Sequence, residues 1–502
     1  MLHQFRRPAI LCIGALLGQL LLLSGPVIAG PPHVWTFPGD CPTALLQDCI
    51  DGAAAGDTIQ ITTDTPIDEF ADIQSSLTLR AAPGLHPTIS YGGSVIAPAG
   101  TVSVVIRDIT FGGTLSAQFT AGSGHSFTAR HVQVISPSTF SGSGISLYST
   151  VPASFEVIGS SVDVDGYQDP QIYLQAAGAS GDVTFRIIGN RLKGAGASSG
   201  GGGIDLQLTG SGSTRADIYN NAIWDGAGCN CGGESGLFID PQDTVQVDVN
   251  VVGNTFDRVH SNAIGVRNDL TAGGHLSLDV FDNAITHSDD SAVYLGDTVA
   301  DPFGYRAGYN DFYGNGRASE LLGHSQGVGN MHKAPGYVDP AHGNFRLKST
   351  SPLINKGLVC TPGGVSNLDA AGRSRLVGPT VDIGAYEFGA GPETGRAFVG
   401  GTGMDTLLGT SGADIICGLG GADYIDGEGG NDYVNGGAGP DFVIGGPGSD
   451  RIFGGPGNDT VCGRDFVHGN DRVDGGTGTD KYRADPGDMV LHVEHTATCA
   501  VA

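Results

Sequence analysis

Aspartate recurs at every ninth residue near the C-terminus, a spacing suited to metal binding. Seven consecutive nonapeptides between residues 400 and 462 carry Asp in the sixth place and an apolar residue in the eighth. The aspartates are Asp405, Asp414, Asp423, Asp432, Asp441, Asp450 and Asp459. The preceding places are rich in glycine, which adopts the positive φ angles of tight turns at low cost. Alternating turns and short strands then predict a flattened coil with two nonapeptides per winding.

Stacking of successive windings brings each aspartate over the one eighteen residues further along the chain, for example Asp405 over Asp423. Two adjacent carboxylates repel each other unless a cation lies between them. The turn carbonyls would add the hard oxygen ligands that Ca²⁺ prefers. The sequence therefore predicts that these seven aspartates bind calcium. After Asp459, the residue eighteen places on is Thr477, so the stack is expected to end or shift there.

The nonapeptides, such as GGPGNDTVC at 454–462, resemble the RTX or hemolysin-type calcium-binding repeats, whose consensus is G-G-x-G-x-D-x-U-x. The resemblance covers residues 400–483 and leaves 484–502 as a C-terminal tail. It implies a parallel β-roll in which Ca²⁺ is the cofactor and the seven aspartates are its ligands. A disordered Gly/Asp linker is the alternative, but it does not explain why the eighth place is always apolar.

A second set of candidate residues comes from a strand that recurs in the front part of the chain. Segments such as GISLY (144–148), GIDLQ (203–207) and AVYLG (292–296) alternate in a way that sends their apolar residues inward. The outward set is Tyr148, Tyr173, Gln175, Asp205, Gln207, Phe238, Asp240, Arg267 and Tyr294. Sugar rings stack on aromatic side chains, and amides and carboxylates bind sugar hydroxyls. The predicted glycan-binding residues are Tyr173, Gln175, Gln207, Phe238 and Tyr294.

Four interpretations of this face stay open. Asp205 and Asp240 could be the acid and the base of a glycoside hydrolase. Arg267 could instead neutralise a uronate during β-elimination by a polysaccharide lyase, with His260 or Tyr294 moving the proton. The face could also bind polysaccharide without any chemistry, or it could be an ordinary solvent-exposed sheet.

The front of the chain repeats with a period near 30 residues, which predicts a stacked solenoid. Equivalent turns contain Asn190, Asn221, Asn254, Asn283 and Asn310, whose amides we expect to hydrogen-bond along the stack. A short helix precedes GDTI (56–59), and its apolar stripe contains Leu45, Leu46, Cys49 and Ile50. This arrangement resembles the N-terminal cap of pectate-lyase-like proteins. The resemblance implies a right-handed parallel β-helix over residues 30–344.

Residues 345–390 contain three collinear motifs, SPLINKG, AAGRSR and VDIGAYEF. They resemble the closing segment of bacterial β-helix proteins of the choice-of-anchor Q type, which implies a bacterial surface or secreted protein. The charged residues expected to be structural there are Asp369, Arg373, Asp382 and Glu387. We expect the segment to cover the open end of the solenoid and residues 391–399 to link it to the roll.

Residues 1–29 have the basic start, apolar centre and small final residues of a secretory signal peptide. No later segment is apolar enough to span a membrane, so we expect a secreted or extracellular protein that uses the general export route. It could also remain associated with the cell surface. The net charge is −27, and loss of Arg6 and Arg7 with the signal makes it −29. This acidity argues against a nucleic-acid partner, because clustered Lys and Arg bind phosphates.

Eight cysteines remain after cleavage, and an even number in an exported chain favours disulfides. The expected pairs are Cys41 with Cys49 and Cys462 with Cys499. Cys417 is five repeats before Cys462, so the two should lie on opposite faces of the roll and not pair. Cys229 and Cys231 share a Gly-rich loop, where ordinary structural bridges are favoured over a redox or metal pair.

These patterns predict an all-β protein in which a right-handed parallel β-helix is followed by a C-terminal RTX parallel β-roll. The predicted function is that of a secreted calcium-binding protein whose β-helix presents a surface for extracellular carbohydrate, such as a cell-surface glycan, or for other partners. The alternative function is that of a polysaccharide lyase or glycoside hydrolase acting on the β-helix face.

Overall fold

The chain is built almost entirely of β-strands. The computed structural model describes residues 31–98, 100–136, 142–164, 170–178, 181–194, 202–225, 235–296, 303–317, 319, 321, 324–392 and 395–499. The predicted signal peptide and the pair Cys229 and Cys231 lie outside these residues. The helical elements among the described residues are the α-helix Leu46–Gly52 and the 3₁₀ helix Pro340–His342.

Three parallel sheets form the walls of a solenoid, because each winding contributes one strand to each sheet in turn. Sheet A consists of Val34–Phe37, Asp57–Ile61, Leu77–Ala81, Ser103–Arg107, His125–Arg130, Ala153–Ile158, Val183–Ile188, Ser213–Tyr219, Gln246–Val252, His275–Phe281 and Phe303–Gly308. Sheet B consists of Thr88–Ile89, Thr110–Phe111, Gln133–Ser136, Ser161–Val164, Arg191–Lys193, Ala222–Trp224, Thr255–Asp257, Ala284–Thr286 and Asp311–Tyr313. Sheet C consists of Ala71–Ile73, Gly93–Ile96, Leu115–Phe119, Ile145–Ser149, Ile172–Ala177, Ile204–Thr209, Ser235–Asp243, Asn262–Val266 and Val293–Leu295, with Asp269–Leu270 pairing beside it. The predicted right-handed parallel β-helix is confirmed.

Alternation along the strands fills the interior of the β-helix. In Ala153–Ile158 every second side chain is buried and the others are partly exposed. In-register stacking places like residues over one another, so the rings of Phe155 and Phe185 in sheet A stack with centroids 5.3 Å apart. The Phe119 ring of sheet C stacks on Phe155 at the same centroid distance. Each fully buried Phe contributes roughly 2 kcal/mol of apolar burial. The core is therefore a continuous column along the solenoid.

The predicted cap helix is Leu46–Gly52, whose buried residues join the core of the β-helix. Its first turn is capped by a residue that is distant in sequence, since the Glu69 carboxylate accepts a 2.8 Å hydrogen bond from the backbone N–H of Leu46. The expected disulfide between Cys41 and Cys49 is present and fixes the helix to the preceding loop.

The repeated asparagines form a buried ladder along one edge of the β-helix. The Oδ1 atom of Asn254 accepts hydrogen bonds from the backbone N–H (2.8 Å) and the Nδ2 (3.0 Å) of Asn221. Its own Nδ2 donates to Oδ1 of Asn283 (3.0 Å) and to the carbonyl of Ile218 (2.8 Å). The same pattern occurs throughout the predicted series and continues to Asn330. The structural role predicted for these residues is confirmed.

The segment after the last complete winding packs against the outward face of sheet B. It contains an antiparallel hairpin of Tyr337–Asp339 and Asn344–Leu347. Its buried cluster is Ala222, Trp224, Ala284, Tyr337, Phe345, Leu347, Leu353, Ala370, Ile383, Ala385 and Tyr386. The expectation that residues 345–390 cover the open end of the solenoid is wrong. Apolar side chains of sheet B face outward in these windings, and the segment buries them from the side.

The charged residues of this segment bind its own backbone. The carboxylate of Asp369 accepts a hydrogen bond from the N–H of Arg373 (3.0 Å), and that of Asp382 accepts one from Phe388 (2.6 Å). Glu387 accepts one from the N–H of Asp382 (3.0 Å). These contacts hold an irregular loop in place, which agrees with the structural role expected for the group.

The C-terminal part is a roll of two parallel sheets. Sheet D consists of Ala397–Val399, Ile415–Cys417, Tyr433–Asn435, Arg451–Gly457, Arg472–Gly478 and Met489–Leu491. Sheet E consists of Thr406–Thr410, Tyr424–Glu428, Phe442–Ile444, Thr460–Cys462, Lys481–Arg483 and His495–Thr496. The apolar eighth places line the interior of the roll, as the repeat predicts. Cys462 pairs with Cys499 as expected, and Cys417 on the opposite sheet pairs with Cys360.

Candidate functional sites

The aspartates of the nonapeptides form two columns, one before each sheet of the roll. The first column is Asp405, Asp423, Asp441, Asp459 and Asp480, and the second is Asp414, Asp432, Asp450 and Asp471. Within a column, each backbone N–H donates to Oδ1 of the next aspartate at 2.8–2.9 Å. The predicted stacking of residues eighteen apart is confirmed from Asp405 to Asp459.

In seven of these aspartates the other carboxylate oxygen is buried and has no hydrogen-bond partner among the described residues. The atoms are Oδ2 of Asp423, Asp432, Asp441, Asp450, Asp459, Asp471 and Asp480. Burial, reinforced by neighbouring aspartates and opposed by a backbone hydrogen bond, raises the pKa of Asp432, Asp450, Asp459 and Asp471 to about 7 and that of Asp441 to about 6. A buried charge without compensation is costly. The columns thus present negatively charged oxygens that a cation would stabilise.

Glycine in the first place of each nonapeptide leaves the space that these carboxylates occupy. A β-carbon placed on Gly427 would lie 2.6 Å from Oδ2 of Asp432, and one on Gly445 would lie 2.6 Å from Oδ2 of Asp450. The same distance is 2.5 Å between Gly436 and Asp441. These separations are shorter than any side chain tolerates without a shift. The first-place glycine of the repeat is therefore needed for the turn and also for the space that the aspartate side chain occupies.

The columns shift by three residues after Asp459 and then continue. Asp450 is followed by Asp471 and Asp459 by Asp480, both 21 residues on. Reasoning from a strict spacing of eighteen missed Asp471. The signal that could have found it is local, because Asp471 is followed two places later by the apolar Val473, as in every regular repeat. Val473 is buried in the roll with the other eighth-place residues.

Calcium would need ligands besides the aspartates. Within the described part of the chain, no three His, Cys, Asp or Glu side chains converge on one point. The two columns instead offer pairs of stacked carboxylates beside Gly-rich turns, whose carbonyls are the remaining hard oxygen donors. The second column borders a groove of about 720 Å³ between the roll and the segment on sheet B, lined in part by Asp432, Asp450 and Asp471. This donor set fits Ca²⁺ better than softer metals.

The predicted glycan-binding face is the outward side of sheet C, where the side chains form two rows. The first row is Ser146, Tyr173, Asp205, Phe238, Gly265 and Tyr294. The second row is Tyr148, Gln175, Gln207 and Asp240, followed by Arg267 just beyond the paired residues. Adjacent strands are about 4.8 Å apart, so neighbours within a row are in side-chain contact range.

Asp205 lies at the centre of this face. Its Oδ1 accepts a 2.7 Å hydrogen bond from Nε2 of Gln207. Burial raises the pKa of Asp205 to about 6, with the Gln207 hydrogen bond lowering it, nearby Asp240 raising it and Arg267 lowering it. Burial, together with the charges of Asp205 and Asp240, also raises the pKa of the Tyr173 phenol. The structure therefore brings these side chains into one electrostatic cluster.

Asp240 and Arg267 form an ion pair across the second row. Nη2 of Arg267 contacts Oδ2 of Asp240, and its Nε donates to Oδ1 of Asp240 at 3.3 Å. The same Nε lies 3.2 Å from Oδ2 of Asp269, and the guanidinium carbon lies 5.7 Å from the centre of the Phe238 ring. Asp240 is fully buried, whereas the Arg267 side chain is 49% exposed. Arg267 therefore covers Asp240 and shares its charge with two carboxylates.

The other two residues considered for proton transfer lie at different distances from this cluster. Tyr294 is on the first row but is separated from Phe238 by the strand that contributes Gly265. His260 is in the loop between sheets B and C, where its Nδ1 lies 2.8 Å from Oδ2 of Asp289. The structure thus assembles Tyr173, Asp205 and their neighbours, with His260 engaged by an aspartate outside the two rows.

Comparisons with known proteins identify the nonapeptide repeat of the roll. The family model for the RTX calcium-binding nonapeptide repeat matches residues 399–434, 426–461 and 468–488. No curated protein matches the chain. Among solved structures, pectate lyase Pel9A is 12% identical over 71% of this chain and 97% of its own, with a TM-score of 0.40. The PL6 family alginate lyase AlyGC is 12% identical over 92% and 78% of the two chains, with a TM-score of 0.28.

A third solved structure, ORF18 of Geobacillus virus E2, is 12% identical over 57% of this chain with a TM-score of 0.38. This chain spans 56% of the length of that viral protein. Among the described residues, no helix has the length and hydrophobicity needed to cross a bilayer. The chain therefore combines a right-handed parallel β-helix with C-terminal RTX calcium-binding nonapeptide repeats.

Proposed function

We propose that this chain is an exported bacterial protein whose aspartate columns bind calcium and whose sheet C binds extracellular polysaccharide. The calcium part rests on the seven buried Oδ2 atoms that have no hydrogen-bond partner in the described part of the chain. Each would face a neighbouring carboxylate in its column, and a divalent cation between windings removes both the repulsion and the missing bond. The ligands would be the predicted Asp405 to Asp459 series together with Asp471 and Asp480, and turn carbonyls would complete them.

Calcium supplies cross-links between windings here, so its role is structural. Extracellular calcium sites often bind at about 10⁻⁴–10⁻³ M, which leaves them empty inside a cell and filled outside it. The roll would then fold after export. The disulfides of the described residues support an oxidising compartment, as does the predicted signal peptide. Calcium titration of the full chain, followed by circular dichroism, tests this part, and an unchanged folded spectrum without calcium would contradict it.

The polysaccharide part rests on the composition of the two rows of sheet C. Tyr173, Phe238 and Tyr294 offer ring faces, while Gln175 and Gln207 offer amides for sugar hydroxyls. Aromatic side chains offer large, rigid apolar faces that a sugar ring can cover, so a row of rings gives useful affinity.

Substitution of the rings tests this part of the proposal. Tyr173→Ala and Tyr294→Ala should weaken retention on immobilised polysaccharide. Tyr313→Ala is the matched control, because Tyr313 is a partly exposed tyrosine of sheet B. Equal retention of all three variants and the unmodified protein would contradict the proposed face.

A glycoside hydrolase is the second candidate, and one observation favours it. A carboxyl with its pKa raised to about 6 is suited to donate a proton to a leaving sugar oxygen, and Asp205 has this property. Asp240 is a poorer base than the sequence suggests, since it is buried and paired with Arg267. Release of reducing ends from a polysaccharide panel, abolished by Asp205→Asn, would establish this activity. Release of unsaturated uronates would indicate the lyase alternative instead.

A further inference from the structure

The sheet C face has an unusual balance of charge for a surface proposed to hold a polysaccharide. Among the described residues of its two rows, the charged side chains are Asp205 and Asp240, with Arg267 next to them. The rest are aromatic rings, amides, hydroxyls and a glycine. The face is therefore acidic or neutral. Among the described residues, Arg267 is the cation of this face that could bind an anionic ligand.

Arg267 is already paired with carboxylates of the protein. Its Nε and Nη2 are engaged by Asp240, and its Nε also lies beside Asp269. Withdrawing the guanidinium toward a ligand would leave Asp240, which is fully buried, without its counter-charge. Leaving a buried carboxylate without its partner is strongly unfavourable. A carboxylate on a sugar would have to repay that cost and also approach Asp205.

We infer that sheet C selects uncharged polysaccharide and that the ion pair of Arg267 and Asp240 excludes uronate polymers. This inference rests on the proposed sugar-binding role of the face. A uronate chain would bring carboxylates against Asp205 with no unpaired cation to receive them, and like charges placed together reduce affinity for the wrong partner. A neutral chain meets rings and amides alone, and its hydroxyls both donate and accept hydrogen bonds. Arg267 thus determines specificity because its positive charge is paired with Asp240 and is not presented to an anionic sugar.

The test measures calorimetric binding to hexasaccharides, which are short enough to avoid calcium gels. The full chain in calcium buffer is titrated with galacturonic acid hexasaccharide and with neutral hexasaccharides of galactose, glucose, mannose and xylose. At least one neutral hexasaccharide should bind about tenfold or more tightly than the uronate. Asp240→Asn keeps the shape of the residue and leaves Asp269 as the remaining carboxylate beside Arg267, so uronate affinity should rise by about tenfold relative to that for the neutral sugar.

A second variant guards against loss of folding. The double substitution Asp240→Asn with Arg267→Gln removes both charges together, and it should bind the uronate as weakly as the unmodified protein does. Asp163→Asn on sheet B is the matched control, because its exposed carboxylate lies outside the face. Thermal unfolding establishes that each variant is folded.

The outcomes distinguish failure of the predicted selection for neutral sugars from failure of the proposed sugar-binding face. Preference of the unmodified protein for the uronate, lost in the double variant and in Tyr173→Ala, would overturn the charge argument and leave the sugar-binding face standing. Absence of binding to every hexasaccharide would overturn both. Preference for a neutral sugar, reversed or narrowed by Asp240→Asn, supports the inference.

Discussion

Cys417, in a strand of sheet D, is disulfide-bonded to Cys360, which lies in the segment that covers sheet B of the β-helix. Around this bond, Val359 and Val381 of the segment pack with Ile415 and Tyr433 of the roll. The Arg451 guanidinium also donates to the carbonyl of Gly378. The roll is therefore fixed to the side of the solenoid through the segment. Folding of the calcium-binding repeats adds to the surface that holds this segment in place.

The first prediction concerns that disulfide. Cys360→Ala with Cys417→Ala should lower the free energy of unfolding of the roll and segment by about 4 kcal/mol, because the bond closes a loop with a sequence separation of 57. The midpoint of calcium-induced folding should move to higher calcium concentration, and protease should cut between the segment and the roll. Urea unfolding and limited proteolysis of the full chain measure these effects.

Removal of the cap disulfide is the control for that experiment. Cys41→Ala with Cys49→Ala opens a loop with a separation of only 8 residues, so the loss should be about 2.5 kcal/mol. It should affect the N-terminal windings and leave the calcium midpoint unchanged. An equal shift of the calcium midpoint in both variants would mean that Cys360 and Cys417 do not couple the roll to the segment.

Much of this architecture could be predicted from the sequence because it is periodic. A repeated residue meets its own equivalent one winding away, so the spacing of Asn254 or Asp441 specifies the neighbour without knowledge of the rest of the fold. Contacts between unlike segments carry no such signal. The pairing of Cys360 with Cys417, and the position of residues 345–390 on sheet B, depend on which apolar surface is left uncovered once the strands have stacked.

The candidate site was predicted in part for the same reason. Alternation placed Asp205, Asp240 and Tyr173 on one outward face, because the side-chain period of a strand is fixed. It could not show that Arg267 covers Asp240, since exposure depends on the neighbouring strand and on the side-chain conformation. Asp471 escaped prediction because a three-residue shift breaks the spacing while preserving the local Asp-x-apolar pattern.

The second prediction concerns a single aspartate of the roll. Asp441→Asn keeps an oxygen for the N–H of Asp423 but removes the charge on a buried oxygen that has no protein partner. Calcium affinity should fall by about tenfold, because charge count sets the strength of such sites. Without calcium, the variant should be as stable as the unmodified protein or more stable, because a buried uncompensated charge is gone. Calorimetry and thermal unfolding with calcium or chelator measure the two effects.

Asp426→Asn is the matched control for this prediction. Asp426 lies in a strand of sheet E and is partly exposed, outside the two columns. Calcium affinity and chelator-dependent stability should both stay close to those of the unmodified protein. Equal losses of affinity at Asp426 and Asp441 would show that general acidity, and not the columns, attracts calcium.

The third prediction concerns the pH dependence of the segment on sheet B. Burial raises the pKa of Asp282 to about 8, partly offset by a hydrogen bond from the N–H of Leu358 and by Arg375. Since the folded pKa is above the ordinary value of 3.8, the protonated carboxyl is favoured in the folded state. Its contribution to stability is complete below about pH 4 and is lost as pH rises through about 8. The segment should be less stable at pH 9 than at pH 5.

Substitution at Asp282 isolates its share of that dependence. Asp282→Asn cannot ionise, so the difference in unfolding free energy between pH 5 and pH 9 should shrink by an amount on the order of a few kcal/mol. The measurement is thermal unfolding in saturating calcium, because bound calcium keeps the roll folded at both pH values before the transition. Asp248→Asn, at an exposed carboxyl of sheet A, is the control and should leave the pH profile unchanged. An unaltered dependence of stability on pH in Asp282→Asn would show that ionisation of Asp282 is not its cause.

The fourth prediction concerns the asparagine ladder. Asn254→Ala removes a side chain that makes four hydrogen bonds with Asn221, Asn283 and Ile218. The buried donors of Asn221 and the carbonyl of Ile218 lose this partner, whereas Oδ1 of Asn283 keeps the backbone N–H of residue 254. Each buried group left unsatisfied costs about 1–3 kcal/mol. The free energy of unfolding should fall by about 3–5 kcal/mol. Urea unfolding followed by the fluorescence of Trp224, which lies on the adjacent sheet B, measures this loss.

The end of the ladder provides the comparison that makes this result interpretable. Asn330 accepts a 2.8 Å hydrogen bond from the N–H of Asn310, but it is partly exposed and has no further asparagine to bind. Water can replace what Asn330→Ala removes, so its cost should be roughly 1 kcal/mol. If the two substitutions destabilise equally, the ladder is a set of independent turns. A larger loss at Asn254 means that continuous stacking, which the 30-residue spacing encodes, is what stabilises this edge of the β-helix.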